Sequence, residues 1–141
     1  MTNRPVRLAA FAVFAAAAFA GCPAGEGGTP DPEAGVKDAL TEVGSMVCLY
    51  SGKSNRGPAK VADLSPYQDG CPAGFAAVKS GEVVVRWGKT MAGECESGTA
   101  DVIAYEKKAP AEGGYVLLHN GAEKKMGASD LASLGVAPAA K

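Results

Sequence analysis

An unbroken apolar run from Leu8 to Ala20 lies behind Arg4 and Arg7 and ahead of Gly21, Cys22 and a tail rich in Gly and Pro. It decides which part of the chain is free to build a core. The run has thirteen residues, and a helix needs ~20 apolar residues to cross the hydrocarbon of a bilayer, so it is too short to span one. A basic start, a short apolar middle and small residues at the end form the pattern of a cleaved secretory leader, here residues 1–21. Residues 22–33 continue as Cys22 and then "PAGEGGTPDPE", which holds no core-forming side chain and reads as a flexible tether. Residues 34–137 are left to fold, with 138–141 as a tail. About 105 residues suffice for one small domain with a modest core.

Charge and cysteines narrow the function classes. Of the 14 basic residues, Arg4 and Arg7 leave with the leader, so 12 face 15 acidic ones and the mature charge is −3. No basic patch interleaved with aromatics occurs, which speaks against a nucleic-acid partner. After the leader and Cys22, three cysteines remain, Cys48, Cys71 and Cys95. That number allows one internal bridge and leaves one thiol over. With no CxxC and His119 as the sole histidine, no metal or cofactor is expected.

The spacing of Val36, Leu40, Val43, Val47 and Tyr50 by three and four predicts an amphipathic helix from Ala34 to about Ser51, with Gly52 as its stop. Cys48 falls off this stripe and is expected to be half exposed. Ala59 to Leu64 can form one helical turn. Phe75–Val78 and Val83–Trp87 flank "KSGE" and read as a hairpin with Ser80-Gly81 at its tip. Alternation then makes Trp87 the largest core residue, on a face with Val83 and Val85. Asp101–Glu106 predicts a third strand. "YVLLHNGAEKKM", Tyr115 to Met126, predicts a hairpin on a two-residue Asn120-Gly121 turn that pairs His119 with Ala122, Leu117 with Lys124 and Tyr115 with Met126. A short helix from Ser129 to Leu134 closes the domain. The expected fold class is α+β: one amphipathic helix at the start of the domain packed on an antiparallel meander of about five strands, ending in a helical turn. In that arrangement Cys71 and Cys95 emerge at the same end of the sheet, and a bridge between them closes a loop of about 24 residues. Cys48–Cys71 is the alternative pairing.

Three segments resemble known families. Phe19-Ala20-Gly21-Cys22 resembles the lipobox of bacterial lipoproteins. The resemblance implies that Cys22 becomes the first mature residue and carries a diacylglycerol on its sulfur, usually with a further acyl chain. A single chain holds a protein only marginally, whereas two or three make the anchor stable, at ~0.8 kcal/mol per buried methylene. It also implies an exported protein attached through Cys22 to an envelope membrane, its folded part in the periplasm or at the cell surface. "EAGVKDALTEVGSMVCLY" with "PAKVADLSPY" is similar to the opening of the globular part of pseudopilin-like proteins. "DVIAYEKKAPAEGGYVLLHNGAEKKMGASDLASL" resembles the tail of proteins with the prepilin-processing-associated H-X9-DG domain. In this chain Pro110 stands in that motif's His slot and Asn120 in its Asp slot. These two likenesses imply the fold and an envelope location.

No nucleophile is paired with a base, and no phosphate-cradling loop occurs in the sequence. Glu94 and Glu96 flank Cys95 as solvated loop charges, and His119 falls at a hairpin tip. Cys48, as a redox thiol, has only Lys37 on its side of the helix, nearly three turns away. The expectation is therefore a non-catalytic envelope module, structural or interaction-bearing, with an unidentified envelope protein as partner. The alternatives are a small-molecule or ion-binding lipoprotein using a face around Trp87 and Tyr105, or a redox sensor acting through Cys48. A large apolar pocket favours the ligand-binding alternative, and a flat apolar patch favours the interaction module.

Overall fold

A computed structural model describes residues 32–91 and 101–137. The leader 1–21, Cys22 and most of the tether, the Glu94-Cys95-Glu96 loop and the tail 138–141 lie outside the described residues.

Helix α1 runs from Pro32 to Ser54, so it takes up the last two residues expected of the tether. Proline suits a first helical position, where its missing N–H costs nothing, and Glu33 in the first turn complements the helix dipole. The predicted stripe does the packing: Leu40, Val43 and Val47 are fully buried, together with Met46. A short helix α2 (Val61–Leu64) follows, opened by the Asp63 carboxylate, which accepts the N–H groups of Ala59 and Lys60. A 3-10 turn at Ser65–Tyr67 carries the chain on to α3.

Helix α3 (Pro72–Ser80) occupies the segment read from sequence as the first strand, and this corrects that expectation. The reason is local. Pro72 opens the helix, Ala73, Ala76 and Ala77 are strong helix formers, and Gly81 closes it at φ 77, donating its N–H to the Val78 carbonyl. Its buried residues, Gly74, Ala77 and Val78, follow helical spacing and not alternation. Gly81 is thus a helix terminator and not a hairpin tip.

The sheet has four strands among the described residues, against about five expected. They are β1 (Val83–Val85), β2 (Val102–Glu106), β3 (Gly114–Leu118) and β4 (Glu123–Met126), in the order β1-β2-β3-β4 with every pair antiparallel. A four-residue helix α4 (Ala109–Glu112) bridges β2 and β3, and α5 (Ala128–Ser133) closes the chain. The class is α+β with an antiparallel sheet.

Two details of the sheet differ from expectation. Strand β1 ends at Val85, so Trp87 lies beyond it and is 39% exposed. The following Gly88 donates its N–H to the Pro58 carbonyl, which turns this segment toward the loop after α1 and away from the core. The largest fully buried side chains are instead Leu40, Met46, Leu64, Ile103, Leu117 and Leu131. The β3–β4 loop has three residues, not two: Leu118 pairs with Ala122, Gly121 donates to the Leu118 carbonyl, and Gly121 sits at φ 79. This is a type I turn closed by a left-handed glycine, the usual three-residue hairpin. Asn120 is spared a positive φ, and its side chain accepts the Ala122 N–H. Register moves by one, placing Tyr115 opposite Lys125 and Leu117 opposite Glu123.

The sheet is covered on both faces. Helices α1 and α3 pack on one through Leu40, Val43, Val47 and Val78 against Val83, Val85, Ile103 and Leu117. On the other, Leu131 of α5 and Val136 meet Val102 and Val116, with Tyr105 and Leu118 at the margin.

Candidate functional site

Gly74 determines how α1 and α3 meet. A Cβ there would stand 2.7 Å from the Glu42 Cβ and 2.9 Å from the Val43 nitrogen, so the two helices touch backbone to backbone. Glu42 adds a specific tie, its carboxylate accepting the Gly74 N–H at 2.7 Å. That N–H is one of the orphan donors at the start of α3, where a negative group is favoured.

Between the first turns of α1 and the length of α3 the surface falls into an open groove of about 950 Å³. Its walls are small and apolar: Gly35, Val36 and Ala39 from α1, and Ala73, Ala76 and Ala77 from α3. Val83 lies beneath them, and Glu82, Lys107 and Lys108 stand at the rim. The volume is at the upper end of the ~300–1,000 Å³ typical of ligand sites. The cleft exists because residues that could have filled it are alanine or glycine.

A second, polar recess of about 320 Å³ adjoins it and shares Pro32, Val36, Glu106 and Lys108. The Glu106 side chain is only 13% exposed and holds Lys108 at 2.9 Å. That partner raises the Lys108 pKa above the usual lysine range. Lys125 donates to Glu33 and lies 5.4 Å from the centroid of the Tyr115 ring, while Lys37 lies 5.8 Å from it. Bonding to Lys125, and then to the Tyr115 hydroxyl, holds the Glu33 carboxyl below its ordinary range. The one-residue register change in the hairpin is what sets Lys125 across from Tyr115, so these contacts pin the first turn of α1 to the sheet.

The residues singled out from sequence do not form one site. Trp87 lies past the end of β1, whereas Tyr105 sits opposite Val84 and packs toward the α5 side of the sheet. Cys71 is buried at the start of α3, and burial, then the Glu42 carboxylate, pushes its thiol up, away from a reactive thiolate. Cys48 is half-buried on α1, beside a shallow hollow with Leu49, which is 54% exposed, and Met91. Cys48 and Cys71 are not bonded to each other. The pairing of Cys71 with Cys95 involves a residue outside those described, and Cys22, the expected lipidation site, also lies outside them.

The groove was missed from sequence because 75–78 read as a strand. Taken as a helix, the same residues put Ala73, Ala76 and Ala77 beside the Gly35/Ala39 side of α1, and that small-residue pairing was the available signal. Among the described residues, no three His, Cys, Asp or Glu side chains gather as a metal site, and no helix is long and apolar enough to cross a membrane. No protein-family model, curated protein or solved structure matches the chain.

Proposed function

We propose that this chain is a lipid-anchored, non-catalytic cell-envelope module that works by binding. It is held to the membrane through Cys22 and acts as a structural or interaction subunit with a pseudopilin-like domain. The observation that carries this reading is Cys22 itself, placed directly behind a thirteen-residue apolar run and Ala20-Gly21 and followed by a Gly/Pro-rich tether. Only a thiol at that position accepts the diacylglycerol, and two or more acyl chains make attachment stable. The tether then leads into α1 at Pro32, whose first turn is fastened to the sheet by Glu33 and Lys125.

A second reading has an observation of its own. The groove of about 950 Å³ with apolar walls and a charged rim suits an apolar or amphipathic small molecule, which favours a ligand-binding lipoprotein. The two readings share the anchor and differ in what the domain holds.

The anchor is tested by Cys22→Ala. The variant is expected to leave the membrane fraction for the soluble one, or to accumulate as unprocessed precursor, while the unaltered protein sediments with membranes. A processed Cys22→Ala chain that still partitions fully with membranes would exclude the lipid anchor.

A further inference from the structure

We propose that the groove between α1 and α3 holds one acyl chain of the lipid carried by Cys22 of the same molecule, whenever the protein is outside a bilayer. The inference rests on the lipid-anchored reading above.

Shape and chemistry define the class of ligand. The lining is largely small and apolar, from Gly35, Val36, Ala39, Ala73, Ala76 and Ala77, with charge at Glu82, Glu106, Lys107 and Lys108. An acyl chain needs that environment: dispersion contact along its length, no directed hydrogen bonds, and an exit for its ester and glycerol end. Lys107 and Lys108 at the rim offer donors to those ester oxygens.

Position defines the source. Pro32 and Gly35 both line the groove, so the segment bearing Cys22 joins the domain at the groove's own mouth. Ten peptide steps separate Cys22 from Pro32, and such a segment reaches at most ~35 Å. A chain tethered that closely has an effective concentration of order millimolar at the groove, which a free amphiphile at micromolar level does not match.

Energetics define when docking occurs. A methylene gains ~0.8 kcal/mol on leaving water. A bilayer surrounds the chain completely and an open groove covers only part of it, so in a membrane the chain stays in the hydrocarbon. In water the comparison is with an exposed chain, and the groove wins. The groove thus takes one chain out of water and lowers the apolar surface the lipid exposes in an aqueous compartment, while the remaining acyl chain or chains stay outside it.

The test uses the full mature chain in two forms, with the alanine methyls observed by NMR. The first form is the unlipidated Cys22→Ser chain titrated with palmitate. Shifts at Ala39, Ala76 and Ala77 are expected, and Ala76→Trp, which fills the groove from an exposed position, should weaken binding at least tenfold, while Leu49→Ser, at the separate hollow, should leave it unchanged. Absence of those shifts overturns the proposal whether or not Cys22 is lipidated. The second form is the lipidated protein in detergent-free buffer. The same methyls should be shifted without added palmitate, and Ala76→Trp should return Ala39 and Ala77 to their positions in the unlipidated chain. Unshifted methyls in the lipidated form, filled only by added palmitate, would make the occupant a foreign amphiphile and overturn the claim. A dimer sealed across the groove would overturn it too. A mature mass without acyl groups would instead refute the anchored reading, while the palmitate titration still reports on the groove.

Discussion

Gly74 sets how closely α1 and α3 approach. Gly74→Ala places a methyl against Glu42 and the Val43 backbone, inside contact distance on both. Overpacking of this kind costs ~1–3 kcal/mol, and the better helix propensity of alanine returns up to ~1. The expected net effect is a loss of up to about 2–3 kcal/mol, read as a lower urea midpoint with unchanged slope. Asp101 gives a second residue-scale prediction. Lys89 at 2.6 Å, and then Arg86 at 3.2 Å, hold its carboxyl below the ordinary range. An acid with a folded-state pKa below its unfolded value of ~3.9 adds stability that is complete above that value and disappears as pH falls toward the folded one. The group is about one-third exposed, so its share is at most ~1 kcal/mol. Asp101→Asn should therefore be less stable at pH 7 by up to that amount, and in parallel denaturant titrations the gap should narrow as the pH falls below ~3.9. An unchanged gap at low pH would remove the carboxylate from the explanation.

Elements were legible where periodicity was long and illegible where punctuation had two meanings. The α1 stripe spans five positions at three- and four-residue spacing, and Leu40, Val43 and Val47 are fully buried as that spacing requires. The second strand's apolar centre, Val102 to Ala104, is likewise interior. "KSGE" misled because glycine after a polar residue ends a helix as readily as it turns a hairpin, and nine residues hold too few periods to separate the two. Asn120-Gly121 misled more subtly: the hairpin is present, but glycine alone takes the left-handed backbone, and a three-residue loop moves the register by one. Trp87 was misplaced by extending alternation two residues past the end of β1. The groove followed α3 out of sight, since small residues announce a cleft only once both helices are recognised. The terminator role of Gly81 is testable. Gly81→Ala meets open space but forces a side chain to φ 77, which costs ~1–2 kcal/mol. For a domain of this size each 1 kcal/mol lowers the Tm by ~4–8 °C. A loss confined to stability, with the far-ultraviolet circular dichroism retained, is the expected result. A stability equal to the parent's would deny the left-handed cap.

On the scale of the whole molecule, the groove lies at the end of α1 where the described residues begin. Pro32, the first described residue, lines the groove, and Glu106 in its lining pairs with Lys108. The opposite edge of the sheet, Glu123 to Met126, carries two lysines and a glutamate, a composition that discourages pairing with another strand. The most direct test of the account is the intact mass of the mature protein extracted from membranes with detergent. A chain beginning at Cys22 with a diacylglycerol on its sulfur is the result this account predicts. A mature chain that begins at another residue and bears no acyl group would contradict it.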